Sequence, residues 1–194
     1  MGNARLCEQQ LPSRRRVGEP NTMNDIRHEE IRRLWADGLA RTALAGKSPQ
    51  APVPESTWRL LTDIGLPAEC PLDVTLYRDE RLLLPVSSGA GASYLTVGDD
   101  FGTTLGLTPG SGELWSFQTD DDSPPRFVNA SLDAFVLFLG LYESTGNLAA
   151  LSDRKRAAAV AELGRELATY DAAALDDTES WWSVILEQRA QGLL

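Results

Sequence analysis

Between Asp73 and Phe117 the chain carries five short apolar runs with no gap long enough for a helix between any two of them. They are DVTLY (Asp73 to Tyr77), RLLLPV (Arg81 to Val86), SYLTV (Ser93 to Val97), TTLGL (Thr103 to Leu107) and ELWSF (Glu113 to Phe117). Parallel neighbours need a crossover of about a dozen residues, so this spacing excludes a βαβ arrangement. The runs are rich in β-formers, and Gly, Asp, Pro and Ser punctuate the gaps. The expectation is an antiparallel meander. TPGSG (Thr108 to Gly112) is short enough to close a hairpin, and a brief sixth run, RFV (Arg126 to Val128), follows the acidic stretch TDDDSPP.

Helical periodicity flanks this block. From Asn24, residues Ile26, Ile31, Leu34, Trp35 and Leu39 recur near helical spacing, with Arg32, Arg33 and Asp37 opposite them. GKSP (Gly46 to Pro49) stops that pattern and APVP reads as a stiff linker. ESTWRLLTDI predicts a shorter helix with Trp58, Leu61 and Ile64 inward, closing on Gly65 as a left-handed cap, with Pro67 barring continuation. After the strands, Asn129 or Ser131 caps a helix carrying Leu132, Phe135, Val136, Leu139 and Tyr142, with Phe138 and Leu141 on a second apolar face. An Ala-rich helix over 153–170 and a last one over 176–191, capped by Asp177 or Thr178 and with Trp182, Ile185 and Leu186 inward, complete the pattern. The class is α+β. Residues 1–23 read as a disordered tail, 24–49 as a helix and linker, and 50–194 as the α+β domain.

Chemistry is scarce. His28 is the sole histidine, which removes Ser-His-Asp and Cys-His arrangements, and its place before the core reads as a solvated helix position. No HExxH, CxxC, phosphate-binding or dinucleotide-binding glycine motif occurs. No cofactor or metal is expected. The two cysteines, Cys7 and Cys70, cannot cage zinc and fit a reduced, cytoplasmic setting. Neither a secretory leader nor a myristoylation signal is legible at the N-terminus, and FVLFLGLY (Phe135 to Tyr142) is too short to cross a bilayer.

Carboxylates are what remain. The net charge is −10, and it is uneven: residues 1–50 carry nine Arg/Lys against six Asp/Glu, and the rest nine against twenty-two. Such a body repels nucleic acid and suits a basic partner, although solubility alone accounts for much of it. Asp99 and Asp100 in VGDDFG, and Asp120, Asp121 and Asp122, are candidate oxygen ligands in type only. Adjacent strand residues point to opposite faces, so Asp99 and Asp100 do not converge, and Asp is at home where a strand ends. The expectation is a turn or surface role. NAS (Asn129 to Ser131) reads as a helix cap. Of the adjacent Trp181 and Trp182, about 100° apart on a helix, one is expected in the core and the other, Trp181, as an exposed anchor. Trp115 and Phe117 are expected to pack the sheet on a helix.

The succession LLTDIGLP (Leu60 to Pro67), YLTVGDDFGTTLGLTPGSGELWSF, RFVNASLDAFVLFLGLY and WWSVILEQRAQGL resembles the SUKH superfamily, in particular its fourth subfamily of immunity proteins. The resemblance spans about residues 50–192; the first fifty residues and DDDSPP depart from it. It implies a twisted antiparallel sheet of about five to six strands with flanking helices, and no enzymatic activity. It implies a cytoplasmic bacterial protein that binds and neutralises a cognate polymorphic toxin, a nuclease or deaminase, by occlusion; a superfamily adaptor with a non-toxin partner is the alternative. Gly65, Pro67, Gly98, Gly112, Asn129, Ser131 and Trp182 are then fold determinants. Asp99, Asp100, Phe101, Asp120, Asp121, Asp122 and Trp181 are the expected contacts to a basic toxin, with the chain a monomer or weak oligomer and neither nucleic acid nor membrane as partner.

Overall fold

A computed structural model describes residues 23–48 and 51–194. The expected tail lies outside the described residues except for Met23, which opens the first helix.

The meander forms a six-stranded antiparallel sheet, so the expected α+β class and strand number hold. Its strands are β3 (Val74–Leu76), β4 (Pro85–Ser87), β5 (Ser93–Asp100), β6 (Thr103–Leu107), β7 (Leu114–Phe117) and β8 (Arg126–Asn129), after a small two-stranded sheet described below. The order is β3-β5-β6-β7-β8, and β3 and β4 share one edge of β5, β4 at its Ser93 end and β3 at its Asp100 end. RLLLPV is strand only from Pro85. Leu83 has a positive φ of 63°, Leu82 N–H donates to Asp79 O in a turn, and Leu83 N–H still donates to Thr96 O of β5 at 2.7 Å, with the Leu82 and Leu83 side chains buried in the core.

The two sheet faces differ. Leu95, Leu105, Leu107 and Leu114 line the core side. Trp115 and Phe117 do not pack on a helix as expected: they lie opposite, with Phe117 stacked on Tyr94 at 4.4 Å across Gly106 and Trp115 edge-on to Phe127 at 5.3 Å. A bulge between Thr96 and Gly98 resets the register of β5 against β6.

On the core side lies α3 (Leu132–Ser144), in which every residue from Leu132 to Tyr142 is buried. A helix apolar all round must be covered all round. The sheet, α1 (Met23–Trp35) and α4 (Asp153–Tyr170) supply that cover, with α5 (Trp181–Gln191) packed on α4 and β8. Helix α1 is shorter than its sequence pattern. Ala36, at φ 41°, opens a tight turn, and Leu39 leaves the helix to form β1 (Leu39–Ala40), paired antiparallel with β2 (Leu66–Pro67). Ile26 is exposed, not inward. Helix α2 (Glu55–Arg59) widens over 60–64 and closes with Gly65 N–H donating to Leu60 O at 2.8 Å. Gly65 is not left-handed helical; at φ 97°, ψ −177° it is extended in a way that favours glycine, and a Cβ there would meet the Ala40 carbonyl. Helix α5 begins at Trp181, later than expected, because Ser180 takes the cap: its Oγ accepts from Ser183 N and donates to Ala174 O.

Candidate functional site

β5 and β6 join through the two residues Phe101 and Gly102, with Asp100 opposite Thr103. Both turn residues have positive φ, 41° and 107°, the conformation that matches the twist of paired strands in a tight hairpin. Asn, Asp or Gly normally occupies the first of these positions, and a bulky aromatic there is strained. Phe101 is also 87% exposed, so neither backbone preference nor burial accounts for it.

Asp99 and Asp100 end β5 and project to opposite faces, so they form no dyad. Asp100 faces the helices and accepts from Trp181 Nε1 at 2.7 Å. Burial pushes its carboxyl up; the Trp181 bond works against this, while the charges of Asp99 and Asp73 add to it and Arg126 opposes. Asp99 faces the open side beside Tyr77, whose hydroxyl is raised first by burial and then by its bond to Asp99. Arg81 lies over the Tyr77 ring at 4.1 Å and is held by Asp79 at 2.8 Å.

Trp181 is not an exposed anchor: it is 4% accessible, set edge-on to Phe135. The helix places it on Asp100 and its neighbour Trp182 on a second polar post. Trp182 Nε1 donates to Asn129 Oδ1 at 2.8 Å, and Asn129 Nδ2 donates to Asp171 Oδ2 at 2.9 Å, all three side chains buried. Both indoles thus satisfy their N–H while burying their rings. Of the two cap candidates, Ser131 caps α3, accepting from Ala134 N at 3.1 Å, which leaves Asn129 for this bridge.

The remaining motif residues sit where chains meet. Gly98 stands at the bulge, and a Cβ would fall on the Thr75 carbonyl of β3. Gly112, at φ 77°, lies against the Pro54 ring, and Pro67 pairs with Leu39. Asp120, Asp121 and Asp122 are exposed. Asp121 holds Ser123 through its Oδ1, and its backbone lies against Gly89 in the turn that enters β5 at Ser93, away from the Asp100 end.

Two features were missed in the sequence. Asp73, far from Asp100 in the chain, is placed where its charge acts on that carboxyl, because Val74 pairs with Asp100. His28 is not solvated: it is 2% accessible, and its Nε2 donates to Asp133, a carboxylate in the first turn of α3 that is fully buried. Ser56 Oγ and Thr57 Oγ1 approach the other oxygen of Asp133 at 3.4 Å. The pair joins α1, α2 and α3 and has no opening to substrate. Burial pushes the Cys70 thiol up to about 12, far from a nucleophile's range. Among the described residues no three His, Cys, Asp or Glu side chains gather to hold a metal ion, and no helix is long and apolar enough to cross a membrane.

A family model described as SUKH-4 immunity protein matches residues 26–188. The match begins in α1, so it includes a helix that the sequence reading left outside the resemblance. No curated protein and no solved structure matches the chain.

Proposed function

The chain belongs to the SUKH-4 immunity protein family, and from that premise we propose that it binds a cognate toxin of a bacterial polymorphic toxin system in the cytoplasm and neutralises it by covering its active site, with no turnover of its own. The observation that carries the binding site is Phe101: an aromatic side chain held 87% exposed on a strained hairpin turn. Strain at an exposed position is retained where it serves contact, and aromatic side chains dominate binding hot spots.

Asp99 stands beside Phe101 and Asp73 one strand away, giving an apolar knob with an acidic surround. Such a tip suits a basic surface with an apolar pocket, and the −10 charge of the chain steers the encounter. Asp100 contributes by setting the tip on Trp181; the exposed Asp120–Asp122 loop is a second, outlying acidic contact.

Co-expression with a toxin domain of a polymorphic toxin system from the same genome tests the reading. Growth rescue with a stable one-to-one complex, weakened by salt, is expected. A folded chain that neither rescues nor binds the toxin would refute it and move the assignment to an adaptor with another partner. A complex indifferent to salt would refute the electrostatic part alone.

A further inference from the structure

Beside the hairpin tip, a groove of about 530 Å³ runs between the segment entering β8 and the segment entering α5. Its lining includes the apolar Trp115, Phe127, Pro124 and Pro125 and the acidic Asp176, Asp177 and Glu179. The Asp176 and Glu179 side chains meet no partner among the described residues, and the Asp177 carboxylate accepts only the Glu179 backbone N–H at 2.9 Å. Among the described residues Arg126 is the one cation lining the groove, and its charge is also directed at Asp100. Three exposed carboxylates against one arginine leave the groove negative. The acids alone would be a solvated turn; sharing one groove with an indole and two prolines, they give it both apolar and anionic lining.

We propose that this groove takes an arginine side chain of the protein partner, its guanidinium lying along the Trp115–Phe127 wall and its charge met by Asp176 and Glu179. A guanidinium suits such a slot better than an ammonium, since it is planar, weakly hydrated and able to stack on an aromatic while its edge donates to carboxylates. Continuity with the tip follows from connectivity: Ser180 and Glu179 line the groove, and the next residue, Trp181, is bonded to Asp100 beside Phe101. The inference rests on the reading that this chain acts by binding a protein, and it extends that binding surface from the tip into the groove.

Its test needs no toxin, so its failure is separate from failure of the immunity reading. The full chain, labelled with ¹⁵N, is titrated with N-acetyl-arginine-N-methylamide and, in parallel, with the citrulline analogue, a neutral isostere. The arginine probe is expected to give saturable shifts at the Trp115 indole N–H and at the 176–179 amides, and the citrulline probe to bind about fivefold more weakly. Asp176→Asn/Glu179→Gln, which alters only exposed side chains, is expected to bring the two probes to the same affinity. Equal binding of both probes to the native chain, an unmoved Trp115, or a double variant that binds arginine as before would each overturn the proposal.

Discussion

Asp133 is where this fold is expected to be most sensitive to one polar atom pair. Its carboxylate is fully buried, receives His28 Nε2, and sits in the first turn of α3, where a helix favours an anion. Ser56 and Thr57 hydroxyls at 3.4 Å add little at that length. Asp133→Ala leaves a buried His28 N–H without an acceptor, a cost of about 1–3 kcal/mol. Losing the anion at the helix start removes up to about 2 kcal/mol more. The sum is about 1–5 kcal/mol. Urea denaturation followed by circular dichroism would read it directly. In a chain of this size the melting temperature should fall by about 2–20 °C. The double variant His28→Leu/Asp133→Leu should cost at least about 1 kcal/mol less than the two single replacements together, because neither partner is then left alone. A loss below about 1 kcal/mol for Asp133→Ala, or strict additivity in the cycle, would refute the reasoning.

Three further outcomes follow from the same geometry. Gly98→Ala should destabilise by about 1–3 kcal/mol in urea melts, since its methyl meets the backbone of β3 and not a movable side chain. Asn129→Ala should cost a comparable amount, about 2–3 kcal/mol, by stranding the Trp182 indole N–H and half the bonding of Asp171; near-native stability would disprove the bridge. Asp100 has a raised pKa, above 3.8, from burial first, so folding favours its protonated form. That contribution is complete below 3.8 and is lost as pH rises through the raised value. Asp100→Asn, which still offers Trp181 an acceptor, should therefore gain stability relative to the native chain as pH rises out of the acid range, and a flat or opposite difference would contradict this.

The sheet was legible because its signal is local: five runs with short Gly- and Asp-rich gaps admit little but a meander. The all-apolar α3 and the Ser131 cap are local too. What was illegible depends on distance in the chain. His28 reads as solvated until Asp133, 105 residues on, is brought against it. Trp181 reads as a spare aromatic until β5 presents Asp100 to its indole. Leu39 continues the helical period of α1, yet pairing with Pro67 overrides that period. The acidic tip was visible as GDDFG, but the feature that sets Phe101 apart, a positive φ with the ring in solvent, belongs to the folded turn. The α5 entrance escaped notice for a related reason: Asp177 reads as a helix cap, and its place on the groove rim requires Ser180 to have taken that role.

Phe101 is kept for contact at the expense of the turn. Phe101→Asn tests it most directly, because it installs Asn-Gly, the pair best suited to this hairpin turn, while deleting the exposed ring. The variant's melting temperature and its affinity for the toxin domain would be measured side by side. The fold is expected to be more stable by about 0.5–1 kcal/mol and the complex weaker by about tenfold or more. A stabilised variant that binds and neutralises as the native chain does would contradict it.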